Sequence, residues 1–222
     1  MSQTHPAFPS APGAVTAEEL AARLASKLCH DFISPAGAIV SGLDLLDDPS
    51  AKDMRDEAME LIAASGRKLV DQLAFARVAF GASSGVDRFD PGELERLTRG
   101  VYAHVRAQLE WSCEAPQLPK AAAQGLVNLA QLAAGALPLG GLAKAACRTE
   151  HGGFALEIVA AGPKARLHAE VADGLAGAPL GDGLGGRWVQ AYYVHALVTA
   201  AGGHCGAAMD GEAVTFRAFV PA

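Results

Sequence analysis

Apolar residues recur every three or four positions through the first part of the chain. At about 100° per residue, they fall within one arc roughly 100° wide, the width of a helical stripe that faces a core. The residues of this stripe are Leu24, Leu28, Phe32, Pro35, Ile39, Leu43 and Leu46. Thr16 followed by Glu19 forms a capping box, and Asp47-Asp48-Pro49-Ser50 is a turn signal. The pattern therefore predicts a helix from about Ala17 to Asp47.

A second helical pattern runs from about Ala51 to Phe80. Its apolar side is predicted to consist of Met54, Leu61, Ile62, Leu69, Leu73, Ala76 and Phe80. The short turn between the two helices makes them an antiparallel hairpin. Two helices alone cannot cover both apolar stripes, so we expect two chains to pair as a homodimer whose four helices enclose one core. The alternative is a monomer in which the rest of the chain covers the stripe.

The second half of the chain alternates between helical and strand patterns. Helices are predicted over residues 91–108, 120–137 and 187–201, and strands over 109–113, 140–150, 153–160, 204–209 and 213–220. Helices that alternate with mostly antiparallel strands are typical of an α/β sandwich. We therefore predict an α+β protein. Its predicted units are a flexible tail (1–15), a helical hairpin domain (16–82), a linker (83–89) and an α/β domain (90–222).

Composition and charge narrow the classes of function. The 222 residues are 50% hydrophobic, enough for a sizeable core, and the net charge of −6 argues against a nucleic-acid surface. We expect no membrane association and a cytoplasmic location, because no apolar run is long enough for a membrane helix and no secretory signal is recognisable. The cysteines lack CxxC spacing and are predicted to be buried, reduced residues: Cys29, Cys113, Cys147 and Cys205. Of these, Cys29 is the one expected to be open to oxidation.

The candidate chemistry lies on the polar side of the first helix. His30 is about 180° from the middle of the apolar stripe, so its imidazole is predicted to point into water. Its neighbours on that side are Arg23, Lys27, Ser34, Gly37 and Ser41. An exposed histidine is usually only a solvated polar residue. However, Asp31 follows it directly, and Pro35 is kept inside the helix at a cost of about 3 kcal/mol, which favours a functional role.

The same segment carries a family resemblance. His30-Asp31-Phe32-Ile33-Ser34-Pro35 resembles the phospho-acceptor box of sensor histidine kinases, which has a histidine, an acid, two variable residues, a small or polar residue and a proline. With the continuation through Gly42-Leu43-Asp44-Leu45-Leu46, residues 20–48 resemble the ChpT family of alphaproteobacterial histidine phosphotransferases. The resemblance implies that His30 takes a phosphoryl group from the receiver of a hybrid histidine kinase. It further implies that the acceptors are a DNA-binding response regulator and a single-domain receiver that control the cell cycle.

The order of elements in the second half is similar to the ATP-binding domain of histidine kinases, but the nucleotide residues are missing. Such kinases hold Mg²⁺ with the second asparagine of an Asn-Leu-x-x-Asn-Ala box, where Asn128-Leu129-Ala130-Gln131-Leu132-Ala133 has leucine. The adenine-reading aspartate is replaced by alanine in Ala160-Ala161-Gly162-Pro163-Lys164. Gly183-Leu184-Gly185-Gly186 is similar to the last glycine box, but Arg187 and Trp188 follow where phosphates need space. We expect a retained fold without an ATP site, as the resemblance also implies.

The expected reaction requires few chemical groups from the chain itself. Phosphoryl transfer depends mostly on positioning and charge neutralisation, so we expect no intrinsic cofactor and no metal site, with Mg²⁺ supplied by the receiver. Asp31 is expected to orient the His30 ring or accept its proton. Arg23 and Lys27 are expected to steer the acidic face of a receiver. Three small residues are expected to line the docking groove, namely Ser34, Gly37 and Ser41.

Three alternatives remain open at this point. The chain could be an ATP-using histidine kinase, against which the missing asparagine and aspartate argue. It could be a non-catalytic dimeric scaffold that binds receivers, with His30 incidental. The His-Asp dipeptide is also compatible with a metal-dependent hydrolase. That reading would need further ligands on the neighbouring helix, and residues 51–80 contain no histidine.

Overall fold

The fold was established from a computed structural model that describes residues 15–81, 87–179 and 185–222. A hairpin of two long helices is followed by an α/β sandwich, so the predicted α+β class is confirmed. The predicted tail and most of the predicted linker lie outside the described residues. The proposed domain boundaries therefore stay a prediction. None of the described helices is long and apolar enough to cross a membrane.

The hairpin begins and ends close to where local signals place it. Helix α1 spans Ala17–Asp47, and the Thr16 hydroxyl accepts a hydrogen bond from the Glu19 N–H at 3.1 Å. A short 3₁₀ helix, Lys52–Met54, precedes α2, which spans Arg55–Ala79. The second helix thus starts four residues later than predicted, because the chain first completes a tight turn after Pro49.

The two helices of the hairpin pack most closely at Gly42. A Cβ atom on this glycine would lie 2.6 Å from Ile62 Cγ1 and 3.1 Å from the Ala58 carbonyl oxygen. A side chain at this position would therefore collide with α2, and glycine is required for the two backbones to lie this close. Gly42 and Pro35 are the buried residues of α1, whereas Ala58 is fully buried on α2.

The burial of the predicted apolar stripes depends in part on a second chain. Four of their members are exposed in the single chain, namely Leu43, Met54, Leu61 and Leu73, and the expected burial of these residues relied on the predicted homodimer. The single chain also buries a residue outside the predicted stripes. Phe75, which was not in the predicted stripe, is 2% exposed. The reason is that α2 packs against α1 on one side and against the α/β sandwich on another. The buried surface of α2 is therefore wider than one helical stripe, and it includes residues that a single stripe does not predict.

The sandwich is built on a five-stranded sheet with the order β2-β4-β5-β7-β6. Strands β2 and β4 are parallel, and the other neighbours are antiparallel. The strands of this sheet are β2 (Ala107–Cys113), β4 (Gly141–Glu150), β5 (Gly153–Ala161), β6 (His204–Asp210) and β7 (Ala213–Pro221). A separate antiparallel pair, which the sequence did not predict, joins β1 (Arg88–Phe89) to β3 (Leu118–Pro119).

The helices of the sandwich are α3 (Pro91–Tyr102), α4 (Lys120–Gly135), α5 (Ala169–Leu175) and α6 (Gly186–Ala200). Helix α4 is buried along most of its length, and its alanines allow it to lie close to the sheet. It contacts α6, α3 and the C-terminal part of α2, so it forms the centre of the molecule. One predicted helix is too long, and one helix was missed. Helix α3 ends at Tyr102 and not at Gln108, since β2 already begins at Ala107. Helix α5 was not predicted.

Candidate functional site

His30 lies near the middle of α1, and 86% of its side chain is exposed to solvent. Its Nδ1 atom is 3.4 Å from Asp31 Oδ1, and the other carboxylate oxygen accepts a hydrogen bond from Lys27 Nζ at 2.5 Å. Lys27, Asp31 and His30 therefore form a continuous polar chain on one side of the helix.

This arrangement selects one form of the imidazole ring. A carboxylate beside Nδ1 favours the tautomer that carries its proton on Nδ1, because only that tautomer can donate a hydrogen bond to Asp31. The Nε2 lone pair then points away from the carboxylate and toward solvent. In that tautomer the unprotonated Nε2 is a nucleophilic nitrogen that is open to solvent.

The two basic residues that were predicted to steer a partner are less free than the helical wheel indicated. Only 11% of the Lys27 side chain is exposed, and its ammonium group is bound to Asp31. Arg23 forms an ion pair with Glu19 at 2.7 Å, and its guanidinium group lies 5.8 Å from the centre of the Trp188 ring. Lys27 is therefore held by a residue of its own helix, whereas Arg23 also contacts the sandwich through Trp188.

The three small residues on the C-terminal side of His30 form an open surface. Ser34, Gly37 and Ser41 are exposed, and a Cβ atom on Gly37 would have no heavy atom within 4 Å. Ile33, beside them, is 71% exposed, which is unusual for an isoleucine. This side of the helix is therefore not a walled groove. It is a flat, partly apolar strip on which a second protein can lie.

A cleft of about 650 Å³ opens on the other side of His30, between α1 and the sandwich. Its lining includes Arg166, His168 and Arg187, in addition to the polar chain on α1. Burial lowers the pKa of His168, and the Arg187 and Arg166 cations add to this effect. Among the described residues, the Asp31 carboxylate is the one acidic group of the lining. The cleft is therefore electropositive where it meets His30.

No residue set for a metal ion is present in the described ranges, which contain no group of three or more His, Cys, Asp or Glu side chains placed to share one. Leu132, at the position where histidine kinases carry their Mg²⁺-binding asparagine, lines the cleft with a side chain that offers no ligand atom. The Gly183-Leu184 part of the last glycine box lies outside the described residues, and Gly185 and Gly186 start α6.

A polar network that the sequence analysis did not identify joins the hairpin to the sandwich. Gln124 Nε2 donates to the carbonyl oxygens of Val78 at 2.8 Å and Gly81 at 3.0 Å, and Asn128 Nδ2 donates to that of Ala79 at 3.0 Å. Gln190 in turn donates to Asn128 Oδ1 at 3.0 Å. These amides pair with carbonyl groups at the C-terminal end of α2, which the helix itself leaves without partners.

The network gives Asn128 a structural role that its sequence context did not indicate. In the sequence this residue was interpreted as the remnant of a nucleotide box, whereas in the structure it is fully buried and its amide is used to hold α2. The signal in the sequence was the pair of polar residues, Gln124 and Asn128, one turn apart in an otherwise apolar helix. Such residues at i and i+4 share one helix face and need a polar partner when buried.

We expect Asn128→Leu to lower the free energy of unfolding by about 2–3 kcal/mol, because the Ala79 carbonyl would be buried without a partner. For a chain of this size that corresponds to a melting temperature lower by roughly 4–12 °C, measured by circular dichroism or calorimetry. Gln108→Leu, which changes an exposed side chain on β2, is the matched control and should melt like the wild type. Equal melting temperatures of the Asn128 variant and the control would contradict the assigned role.

Comparisons with known proteins agree with this architecture. The family model described as histidine phosphotransferase C-terminal domain matches residues 91–213. Protein phosphotransferase ChpT of Brucella abortus (strain 2308) is 38% identical over 134 residues, which are 60% of this chain and 62% of that protein. The match thus spans somewhat less than two thirds of the relative's length.

Two solved structures extend the comparison. A structure of a bacterial phosphotransferase superposes with a TM-score of 0.84 at 30% identity, covering 94% of this chain and all (100%) of the other. The catalytic domain of histidine kinase ThkA covers 60% of this chain and 93% of its own, with a TM-score of 0.48 and 15% identity. The family model covers more than half of the 222 residues, and the phosphotransferase structure matches the hairpin as well as the sandwich. The chain therefore belongs to the histidine phosphotransferase family.

Proposed function

We propose that this chain relays a phosphoryl group through His30, from the aspartate of one receiver domain to the aspartate of another. The observation that carries the proposal is the exposed imidazole whose Nδ1 faces the Asp31 carboxylate, so that Nε2 is free. Membership of the family and the phospho-acceptor box around His30 support the same reading. The receiver of a hybrid histidine kinase is the proposed donor, and a DNA-binding response regulator and a single-domain receiver are the proposed acceptors.

In the proposed reaction His30 Nε2 attacks the phosphorus atom of an aspartyl phosphate. A P–N bond forms, the bond between phosphorus and the aspartate oxygen breaks, and the receiver aspartate leaves as a carboxylate. The ring keeps its Nδ1 proton, so the phosphorylated ring carries a positive charge that the Asp31 carboxylate stabilises. Attack by a second receiver's aspartate on the phosphorus reverses these steps. Mg²⁺ and the remaining neutralising charge come from the receiver.

The proposed docking surface has two parts. The flat strip of Ile33, Ser34, Gly37 and Ser41 would receive an apolar helix surface of the receiver, since an exposed isoleucine gains most from burial. The cations of the cleft, Arg166 and Arg187 in the sandwich together with Arg23 on α1, would face the acidic groups around the receiver's aspartate. In this arrangement the second domain contributes charge, not catalysis.

We propose that the chain uses no ATP. The leucine at position 132, the alanines in place of the adenine-reading aspartate, and the use of Asn128 in holding α2 all support this part of the proposal. An ATP-using histidine kinase is the alternative, and titration with a fluorescent ATP analogue in the presence of Mg²⁺ distinguishes the two. Saturable binding in the micromolar range would favour the kinase.

We also propose that the chain acts as a homodimer through the hairpin. Large apolar side chains that neither the hairpin nor the sandwich covers lie on both α1 and α2, namely Val40, Leu43, Met59, Val70 and Leu73. Exposed large apolar residues on two neighbouring helices are typical of a helix-bundle interface. A second copy of the same hairpin is complementary to it by symmetry, which gives a four-helix bundle with one His30 on each side.

The experiment that tests the proposed function is transfer from a phosphorylated receiver. A receiver labelled with ³²P on its aspartate is incubated with the full chain, and the label on the chain is followed by gel and by peptide mapping. The proposal expects acid-labile, base-stable label on the peptide that contains His30. A chain that binds the receiver but never takes up label is a scaffold, and that outcome would overturn the relay.

We expect Asp31→Asn to slow phosphoryl transfer by roughly 10²-fold, because an amide neither fixes the ring tautomer as well nor stabilises the charged phosphorylated ring. The measurement is the rate of label transfer at saturating receiver. Asp44→Asn, an exposed acid farther along the same helix, is the matched control and should transfer at the wild-type rate. An equal loss of transfer rate in both variants would mean that the net charge of the helix, and not the position of Asp31, sets the rate.

A further inference from the structure

Two cysteines of the sandwich lie side by side on neighbouring strands. Cys113 is the last residue of β2, and Cys147 is its register partner on the parallel strand β4. Register partners on adjacent strands project to the same side of the sheet, here the side that the buried Leu109 and Ala145 share. The Cys113 thiol also donates a hydrogen bond to the Ala115 carbonyl oxygen at 3.8 Å.

The spacing of these strands suits a covalent link. Neighbouring strands are about 4.8 Å apart, and disulfides join Cα atoms separated by about 4.4–6.8 Å. Strand β2 is at the edge of the sheet, and one further backbone hydrogen bond, from the Glu114 N–H to the Cys147 carbonyl at 3.0 Å, holds the residue after Cys113. Because β2 has a neighbouring strand on one side only, closing the disulfide would require no rearrangement of a second neighbouring strand.

The two thiols differ in reactivity. Cys113 is half-buried, whereas Cys147 is fully buried. Interaction with the neighbouring Cys147 thiol lowers the pKa of Cys113 to about 7, and interaction with Cys113 together with burial raises the pKa of Cys147. By contrast, burial raises the pKa of Cys205 to about 11. Near neutral pH Cys113 is therefore partly a thiolate, which is the nucleophilic form of cysteine.

We propose that Cys113 and Cys147 are a redox-active pair that closes a reversible disulfide when the chain meets a small-molecule disulfide of the glutathione type. The prediction that these two cysteines stay reduced is thereby revised. The prediction of burial is wrong for Cys29, which is exposed, as suits the one cysteine that was expected to be open to oxidation.

The chemistry takes two exchange steps. The Cys113 thiolate attacks one sulfur atom of glutathione disulfide, an S–S bond forms to Cys113, and one glutathione leaves as a thiolate. That thiolate takes the proton of Cys147, and the Cys147 thiolate attacks the Cys113 sulfur and releases the second glutathione, which takes a proton from solvent. The two protein thiols are oxidised to one disulfide, and one glutathione disulfide is reduced to two glutathione molecules.

The pair is separate from the phosphotransfer site. Neither cysteine lines the cleft beside His30. The bond would close the loop that contains β3 and α4, so its effect is to tie the edge strand β2 to the interior of the domain and to raise the melting temperature of the oxidised chain. The proposal does not depend on the function of His30.

The test uses the full-length chain, first reduced, then incubated with glutathione disulfide, alkylated and digested with trypsin. Cleavage after Lys120 and Lys144 separates the two cysteines, so a disulfide holds together two peptides that otherwise migrate apart. We expect this linked peptide pair and, in the Cys29→Ser chain, a fall in titratable thiols from three to one, both reversed by dithiothreitol. Cys29→Ser and Cys205→Ser, as controls, should still form the link.

Two variants separate the steps. The Cys113→Ser variant should form no linked peptide, and its Cys147 should react only slowly with glutathione disulfide. The Cys147→Ala variant should accumulate glutathione on Cys113. In the wild-type chain, glutathione that stays on Cys113 without a linked peptide would overturn the proposal, because Cys147 would then be unable to reach it. Thiol loss confined to Cys29, or no thiol loss, would overturn it as well.

Discussion

His30→Gln is expected to abolish phosphoryl transfer, with uptake of label from a phosphorylated receiver falling by at least about 10³-fold. Glutamine has similar length and polarity and keeps the helix, but its amide nitrogen has no lone pair available for attack on phosphorus. The covalent intermediate then cannot form, and no other described histidine is placed to replace it, since the one other histidine of the cleft, His168, is half-buried against Arg166 and Arg187.

The experiment measures uptake of label by rapid quench and receiver binding by titration calorimetry. Binding of the unphosphorylated receiver should remain within about twofold of the wild type, because His30 is one exposed side chain in a larger surface. His151→Asn is the control: this exposed histidine has a φ of 49°, a left-handed conformation that asparagine tolerates. Substantial label on the His30→Gln protein would mean that another residue is the acceptor.

Val70→Glu is expected to convert the proposed dimer to a monomer. Val70 is 64% exposed in the single chain and lies in the apolar surface of the hairpin that we assign to the second copy. In a symmetric dimer one substitution places two carboxylates in the interface, and burial of an unpaired charge costs several kcal/mol. A total of about 4 kcal/mol corresponds to a dissociation constant higher by about 10³-fold.

Sedimentation equilibrium or light scattering measures this change directly. Leu139→Glu is the matched control, because Leu139 is 51% exposed and lies in the sandwich just before β4, away from the hairpin. The control should keep the wild-type mass. A wild-type chain that is monomeric at micromolar concentration, or a Val70→Glu variant that stays dimeric, would contradict the proposed interface.

Features that depend on neighbouring residues in the chain were predicted well. The Thr16 side chain caps its helix as the capping box indicated, since its hydroxyl accepts a hydrogen bond from the Glu19 N–H. The last two strands, predicted over 204–209 and 213–220, are observed as β6 and β7 with nearly the same bounds. The outward direction of His30 also followed from helical geometry alone, since α1 is regular and His30 is opposite its packed side.

Features that depend on distant contacts were predicted less well. The predicted stripe of α2 did not include Phe75, which is buried because α2 is packed by both α1 and the sandwich. Lys27, which was expected to be an exposed cation, is held against Asp31 at the junction with the second domain. The role of Asn128 depends on the end of α2, which is 49 residues away in the chain.

The amino-acid pattern alone was enough to place the two helices of the hairpin, the α+β class, the phospho-acceptor box and the side of α1 on which His30 lies. These features depend on residues a few turns apart, and the spacing of apolar and polar side chains shows the period of a helix or strand directly. The folded chain was needed to show which cations face the cleft, how Gln124 and Asn128 hold α2, and that Cys113 lies beside Cys147. Those outcomes depend on how separate elements pack and pair in space, and a one-dimensional pattern does not contain the register between strands or the angle between helices.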